Sequence, residues 1–456
     1  MRPVLIALGA IALGQTAPVI ATAAETPHPE LVAIAHAVQP DALRATITRL
    51  VGFGTRHTLS DTASPVRGVG AARRWAKGEF ESFGAACGGC LTIDTPEETV
   101  TGARVPKPTA IQDVIAIQRG TSDPDRVVII SGHIDSRVTD ILNATSDAPG
   151  ANDDGSGTAA VIESARVLSR YKFRATIVYA VLSGEEQGLY GGKVLADYAK
   201  GHGWRVEAVL NNDIVGNTHG MDGRVEAGTV RVFSEALRDL ETPAEAAARR
   251  RGGGELDSPS RNLGRFMQIM AEQYVEGLRV RTILRADRFG RGGDQLPMQE
   301  AGFPAVRVTE ADENYTRQHQ DVRTEGAVRY GDVIEGVDFA YLAKVTRLNA
   351  VTLAALASAP PPPAGVTIAG AVTPDTTLSW APALGASDYV VWWRETTDPK
   401  WTESQASGGA SSLTLKGVNI DDYFFGVSAR SADGYVSPVE FPGAAGAFFA
   451  EPEARK

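Results

Sequence analysis

The chain has 456 residues, more than one ordinary domain contains, so we expect two domains. Hydrophobic residues make up 43% of it and charged residues 22%, which is the composition of a soluble globular protein. The 45 Lys and Arg against 55 Asp and Glu give a formal net charge of −10. No basic cluster is longer than the three arginines at 249–251, so nucleic acid is not an expected partner.

The N-terminus has the order of features that is typical of a secretory signal. Arg2 precedes an apolar run at 4–13, and small residues follow up to Ala24. The apolar run is too short to span a bilayer, and no later stretch is apolar enough for a membrane helix. We predict a signal peptide at 1–24 and a secreted or periplasmic protein with no membrane span.

Cysteine occurs at Cys87 and Cys90, in the sequence Cys-Gly-Gly-Cys. This spacing is also found in redox pairs and in zinc sites, but no second pair exists to complete four thiolates. For an exported protein we favour a local disulfide. Because such a bond closes a very short loop, it should stabilise the fold little.

Short apolar runs alternate with helical patterns through the middle of the chain. Runs typical of buried strands lie at 114–118, 127–131, 176–182, 206–210 and 305–308. Apolar residues recur with helical spacing at 29–83, 157–171, 191–200 and 330–356. This alternation predicts an α/β domain at 25–358 with a mostly parallel central sheet and helices on both faces.

Histidine and acidic residues follow the carboxyl ends of the predicted strands. His133 follows the second strand, Glu185 and Glu186 follow the third, and Asp213 follows the fourth, while Asp153 precedes a helix. Open α/β sheets bind their ligands at this edge. Imidazole and carboxylate groups suit divalent metals better than an organic cofactor, so we predict a metal site there.

In combination these motifs resemble those of the di-zinc exopeptidases of the bacterial leucyl aminopeptidase family, which are relatives of glutamate carboxypeptidase and glutaminyl cyclase. The resemblance covers residues 29–356 and is strongest at 127–213. It implies a zinc exopeptidase fold with two Zn²⁺ ions per chain. It also implies five metal ligands: His133 and Asp213 on one ion, Glu186 and His319 on the other, and Asp153 bridging both.

The same resemblance implies roles for two acids that do not bind metal. Glu185 would be the general base, taking the proton of a water shared between the ions and delivering it to the leaving amine. Asp135 would accept the second N–H of His133, as metal-bound histidines usually require. Ligand type leaves open whether the metal in the cell is zinc, cobalt or manganese.

Three further polar residues have two interpretations each. For His57, in a Gly-rich loop, we favour hydrogen bonds that hold the loop over metal binding. For Asp154, before Gly-Ser-Gly, we favour a helix cap over a metal ligand. Asp294 lies where relatives carry Ser-Asp-His, but Gly293 and Gln295 flank it here, so a role beside the metals stays open.

The C-terminal part of the chain has a different sequence pattern from the part before it. A proline run forms a predicted stiff linker at 359–364, and alternating apolar runs follow at 365–456. The positions of Trp380, Tyr423 and Gly434 resemble a fibronectin type III module, a small all-β sandwich. We favour core packing of its aromatic residues over a carbohydrate-binding strip.

Our leading hypothesis is an exported zinc aminopeptidase that acts on peptides with a free N-terminus. The segment 217–291 is expected to supply walls of its substrate pocket. Alternatives of the same fold are a carboxypeptidase, with Arg288 or Arg291 as candidates to bind a substrate carboxylate, and a glutaminyl cyclase-like enzyme. A further alternative is a protein whose C-terminal module attaches to envelope or polymer and whose metal centre is inactive.

Overall fold

The structure is a computed structural model that describes residues 27–235, 241–252 and 254–442; the predicted signal peptide lies outside the described residues. The helices are α1 (Pro29–Ala37), α2 (Pro40–Val51), α3 (Val69–Ala86), α4 (Gly155–Leu168), α5 (Glu185–Gly188), α6 (Tyr190–Gly201), α7 (Pro243–Gly252), α8 (Pro259–Tyr274), α9 (Gln295–Glu300) and α10 (Phe339–Ser358). Preceding α10, the strands are β1 (Leu91–Asp94), β2 (Glu97–Gly102), β3 (Val105–Gln112), β4 (Val114–Gln118), β5 (Asp123–His133), β6 (Ala175–Leu182), β7 (Arg205–Asn212), β8 (Thr229–Ser234), β9 (Arg279–Ile283), β10 (Ala305–Glu310), β11 (Arg323–Glu325) and β12 (Val328–Tyr330).

Within the described residues, eight strands form one mixed sheet in the order β1-β4-β6-β5-β7-β10-β8-β9. Its centre, β6-β5-β7-β10, is parallel, while β4 and β8 join its two sides in antiparallel fashion. Every residue of β6 is buried, as expected for a strand that has helices on both faces. The predicted α/β fold with a mostly parallel central sheet is confirmed.

Capping side chains set where the covering helices begin. Asp154 accepts a hydrogen bond from the amide of Gly157, so α4 begins beside it, as the favoured interpretation of Asp154 predicts. The carboxylate of Asp338 accepts from the amides of Ala340 and Tyr341, each at 3.0 Å. The closing helix therefore begins at Phe339, nine residues after the predicted start at Tyr330.

Several elements were not predicted from the sequence. Strand β1 and the hairpin β2–β3 lie between α3 and β4, and the parallel pair β8–β9 lies inside the segment 217–291. The hairpin is mostly exposed, so its sequence carries no apolar alternation that would reveal it. Cys87 and Cys90, which follow α3, form the favoured local disulfide. No helix among the described residues is both long and apolar enough to span a membrane.

The C-terminal module consists of two small antiparallel sheets. Its strands are β13 (Thr367–Ala369), β14 (Thr376–Ser379), β15 (Asp388–Glu395), β16 (Glu403–Ala406), β17 (Ser412–Leu415) and β18 (Tyr423–Arg430). The sheets β13-β14-β17 and β16-β15-β18 share one core that contains Trp380 and Trp393. The predicted all-β sandwich is confirmed, and these tryptophans pack in its core; the likeness to a fibronectin type III module stays a prediction.

The module packs directly against the sheet domain. Arg394 of β15 and Asp257, just before α8, form an ion pair of 2.7 Å in which both side chains are fully buried. The hydroxyl of Tyr435 donates to Glu30 of α1 at 3.2 Å, and its ring lies in the core of the sheet domain. The predicted stiff linker thus joins two parts that are held together by their own contacts.

Candidate metal centre

The ends of the central parallel strands position the predicted metal ligands. His133 is the last residue of β5, Glu186 lies in the short helix after β6, and Asp213 follows β7 directly. Asp153 lies in the loop before α4, and His319 lies between β10 and β11. Because parallel strands end at one edge of a sheet, the buried strands carry these side chains to a common place.

The predicted site residues form two groups. In each group the potential ligand atoms all lie within 4.8 Å of one another; the groups are His133, Glu185 and Asp213, and Asp153, Glu186 and His319. Nε2 of His133 lies 3.4 Å from Oδ1 of Asp153, and Nε2 of His319 lies 3.0 Å from Oδ2 of the same carboxylate. Asp153 therefore presents one oxygen to each group, which is the arrangement that a bridging ligand needs.

The site suits two zinc ions in its donor chemistry. Nε2 of His133 is buried without a hydrogen-bond partner among the described residues, and Oε1 of Glu186 lies 3.1 Å from Nε2 of His319. A buried polar atom without a partner is costly, so the imidazole of His133 favours a bound cation. Two imidazoles and several carboxylates are typical zinc ligands. The residues present therefore fit the group that the resemblance implies.

The electrostatics of the two groups favour added positive charge. Burial lowers the pKa of His319, but Glu186 and Asp153 outweigh this effect and raise it to about 10. Burial likewise opposes protonation of His133, yet surrounding carboxylates raise its pKa well above the usual range. The cluster attracts protons in the absence of metal, as expected where carboxylates are crowded.

Glu185 lies partly open to the cavity above the metal groups. Burial, with Asp213 and Glu186 nearby, raises its pKa well above the usual range. A carboxylate with a raised pKa holds a proton more readily, as a general base must do before it passes that proton to a leaving group. Bound zinc ions would lower this pKa, since cations favour the carboxylate form.

Asp135 is fully buried beside His133, and its role as acceptor of the second N–H of that imidazole stays a prediction. Nδ1 of His133 lies 3.1 Å from the main-chain carbonyl of Asp135 and 3.5 Å from its carboxylate. The carboxylate accepts from the amides of Gly184 and Glu186 and from the hydroxyl of Thr58. Asp135 thus connects the imidazole to the turn that carries Glu185 and Glu186.

Arg307, in β10, lies at the site and was not predicted from the sequence. Its side chain is fully buried, and Nη1 lies 2.7 Å from Oδ2 of Asp213 and 3.6 Å from Asp287. Burial opposes ionisation of Asp213, but Arg307 and His133 outweigh it and lower the pKa of that carboxyl. An arginine within the apolar run of a central strand was the available signal.

Arg137 contacts two of the predicted ligands. Its Nε donates to Glu186 at 2.8 Å, and its Nη2 lies 2.6 Å from Nδ1 of His319. A guanidinium group only donates, so a hydrogen bond here requires an unprotonated Nδ1, whereas Glu186 and Asp153 favour the protonated ring. A neutral imidazole that binds metal through Nε2 carries its proton on Nδ1. Metal binding through Nε2 therefore requires Arg137 to leave Nδ1, whereas its hydrogen bond to Glu186 does not depend on that contact.

Buried side chains hold the loops around the ligands. Asp332 accepts from the amides of Asn152 and Asp153, the latter at 2.6 Å, and fixes the approach of the bridging carboxylate. Arg56 donates to the carbonyls of Pro149 and Gly150 in the same loop. Neither residue was predicted from the sequence, although Arg56 directly precedes His57.

The other two ambiguous residues are also placed by hydrogen bonds. His57 is buried, and its Nε2 lies 2.9 Å from the carbonyl of Ile141 while its Nδ1 accepts from the amide of Leu59. It holds its loop, as favoured from the sequence. Asp294 is buried and accepts from the amide of Gly192 in α6 at 3.2 Å.

A cavity of about 800 Å³ lies directly over the two groups. Its walls come from the β2–β3 turn, from the loop after β9 and from residues near His319. The segment 217–291 therefore supplies part of the wall, through Arg288 and Arg291, but not all of it. A cavity of this size accepts a small peptide.

Two imidazoles and four carboxylates, gathered at one edge of an α/β sheet beneath a cavity, define a metal-dependent hydrolase. The pattern described as Peptidase family M28 matches residues 113–328. Similar curated proteins are named "Probable zinc metalloprotease". One from Pyrenophora tritici-repentis is 43% identical over 92% of this chain and 88% of its own length. Another, from Leptosphaeria maculans, is 42% identical over 91% of this chain and 97% of its own length.

The chain therefore belongs to Peptidase family M28, which confirms the predicted zinc exopeptidase family and the prediction of a metallopeptidase. The fold is similar to that of the Legionella pneumophila LapA aminopeptidase, with a TM-score of 0.51 and 19% identity over 72% of this chain and 75% of that one. A leucine aminopeptidase precursor from Bacteroides thetaiotaomicron has a TM-score of 0.50 and 15% identity over 69% and 97%.

Proposed function

We propose that the protein is an exported aminopeptidase that uses two zinc ions to remove N-terminal residues from peptides. The observation that carries the proposal is the position of Asp153, with one carboxylate oxygen toward each of two ligand groups at the floor of a cavity. Membership of Peptidase family M28 supports the peptide substrate. The order of features at 1–24 supports export.

The residues of the chain would divide the chemistry as follows. When bound, two zinc ions supply a Lewis acid for the scissile carbonyl and lower the pKa of water. Glu185 would take a proton from the attacking water and pass it to the leaving amine. His133 and Asp213 would hold one ion, Glu186 and His319 the other, and Asp153 both. A free α-amine would be anchored at the metal centre.

The test compares free and N-acetylated dipeptides with the zinc-loaded protein. We expect hydrolysis of the free dipeptides, loss of turnover on chelation, and recovery with two zinc ions per chain by elemental analysis. Rapid hydrolysis of the N-acetylated peptides would contradict an aminopeptidase, because these substrates lack the free α-amine.

A carboxypeptidase is the second candidate, and one observation favours it. Arg288 and Arg291, which the sequence singled out for a substrate carboxylate, both line the cavity. A carboxypeptidase would cleave an N-acetylated dipeptide with a free C-terminus and would not cleave the same peptide with an amidated C-terminus. The two functions therefore give opposite results with one set of peptides.

A further inference from the structure

Four arginine side chains line the cavity over the metal groups. Its acidic lining residues are Asp153, Glu185, Glu186 and Asp213, all of which are already assigned to the metal centre. Its other charged lining residues are arginines: Arg104, Arg137, Arg288 and Arg291. Two zinc ions would offset the four carboxylates in charge, so the arginines would determine the sign of the potential that a substrate meets.

Arg104 is the arginine with the least compensation. It lies at the turn of the β2–β3 hairpin, is exposed, and donates to the main-chain carbonyl of Glu186 at 3.1 Å. Among the ion pairs formed by the described residues, none includes Arg104. A hydrogen bond to a carbonyl leaves its full positive charge at the mouth of the cavity.

The wall formed by the loop after β9 also has more arginines than carboxylates. Glu313 is shared by three arginines: Arg291 at 2.6 Å, Arg288 at 3.3 Å and Arg231 at 2.9 Å. Asp287 adds a second carboxylate, at 3.0 Å from Arg288, but it also lies near Arg307. Arg291 keeps a third of its side chain exposed, at 33%, so its donors remain accessible from the cavity.

We propose that this cationic wall selects peptides that carry a carboxylate close to the bond that is cut. The inference rests on the proposed peptidase function and adds a substrate class to it. Arginine binds carboxylates with charge-assisted, often bidentate hydrogen bonds. The carboxylate has two sources with the same chemistry: an Asp or Glu side chain at the N-terminal residue, or the C-terminal carboxylate of a very short peptide.

Two matched pairs of substrates test the proposal with zinc-loaded protein. Glutamyl and glutaminyl anilides have nearly equal shape and differ in one charge, and Leu-Ala and Leu-Ala amide differ only at the C-terminus. We expect kcat/KM to be about 10- to 100-fold higher for the anionic member of at least one pair, the range of a hydrogen bond to a charged group. The preference should fall as salt is added.

Two variants test whether the arginines of the cationic wall cause the preference for anionic substrates. Arg104→Gln and Arg291→Gln should reduce the ratio of anionic to neutral kcat/KM about 10-fold each. Lys107→Gln is the matched control, because Lys107 is an exposed cation of the same hairpin that does not line the cavity. It should leave the ratio unchanged.

Equilibrium binding gives a readout that is independent of turnover. Glutamate should bind more tightly than glutamine to zinc-loaded Glu185→Gln protein, and Arg104→Gln in that background should remove the difference. The inference is overturned if neither substrate pair discriminates, or if the preference survives both arginine substitutions. If no substrate is cleaved, the proposed function fails, and the binding comparison still decides whether the wall recognises carboxylates.

Discussion

Two fully buried arginines mark two regions that use an ion pair in different ways. Arg307 donates to Asp213 at the metal edge of the sheet, and Arg394 donates to Asp257 at the interface with the C-terminal module, each at 2.7 Å. Asp213 is a proposed metal ligand, so Arg307 would share its partner with an ion. Asp257 accepts from a second arginine, Arg265, as well as from Arg394, and it does not line the cavity.

The pair at the metal edge should therefore affect metal binding, whereas the pair at the interface should affect only the stability of the fold. A buried ion pair carries a desolvation cost, and the loss of one partner leaves an uncompensated charge. At the interface Asp257 keeps Arg265 as a partner and lies outside the cavity lining, so loss of Arg394 should act on stability alone. At the metal edge a cation can replace the lost partner, so the same kind of change should depend on metal. Four experiments test this contrast.

The largest effect is expected for Glu185→Gln at the metal edge. Without a proton acceptor, turnover should fall about 10²- to 10⁴-fold. Glu185 is not a proposed ligand, so zinc content should stay at two ions per chain, measured on the same sample. Glu98→Gln, an exposed substitution in β2, should keep full turnover and is the control. If Glu185→Gln kept its turnover, Glu185 would not be the general base.

The next effect is expected for Arg394→Met at the interface. Asp257 keeps Arg265 at 2.7 Å, so the expected loss is that of one buried hydrogen bond to a charged group, about 2–3 kcal/mol of the free energy of unfolding. Lys400→Met is the matched control, since Lys400 pairs with Glu272 across the same interface with both side chains about half exposed. It should cost at most about 1 kcal/mol.

The two interface variants are also compared in their activity per folded molecule. Arg394→Met and Lys400→Met should both keep the activity of the unsubstituted protein, because neither residue lines the cavity. Equal losses of stability in the two variants, measured by denaturant unfolding, would contradict the claim that the buried pair holds the module in place.

An effect of similar size, but conditional on metal, is expected for Arg307→Met. In metal-free protein it leaves the carboxylate of Asp213 buried without its main partner and should cost about 3 kcal/mol. Zinc would supply the missing charge, so the zinc-induced rise in Tm should be larger than in the unsubstituted protein. Arg307→Lys keeps the charge and should show the original rise. A rise in Arg307→Met no larger than in the unsubstituted protein would show that Arg307 is only structural.

The same contrast explains what the sequence could predict. His133, Glu186 and Asp213 stand at the ends of apolar strands, and such runs predict both the strand and the edge at which it ends. Resemblance supplied His319, which lies in a loop far along the chain. Arg307 could have been suspected from its place in an apolar strand.

The contacts of the arginines could not be predicted in the same way. Arg104 reaches the cavity through a mostly exposed hairpin that has no apolar pattern, and Arg394 meets Asp257 across 137 residues of sequence. Both contacts depend on how loops and domains pack after the strands have formed. The local apolar pattern of a sequence indicates where a strand ends, but it does not indicate which distant residues a side chain will contact.

The smallest effect on stability is expected for Asp294, because it lies near the metal edge without being a proposed ligand. Its Oδ1 accepts from Gly192, and its buried Oδ2 has no hydrogen-bond partner among the described residues. Burial, together with the charges of Asp135 and Asp213, raises the pKa of Asp294 to about 7. An unfolded chain would ionise this group near pH 3.9, which is the ordinary value for aspartate.

The sign of the pH dependence follows from these two values. Between about pH 4 and pH 7 the folded protein keeps the Asp294 proton that the unfolded chain has lost, so this group lowers stability as pH rises. Above about pH 7 both states are ionised and the slope from this group ends. In metal-free protein, Asp294→Asn should therefore make the free energy of unfolding fall less steeply across that window. An unchanged slope in urea titrations from pH 4 to pH 8 would mean that Asp294 is ionised in the folded protein, stabilised by charges at the metal edge.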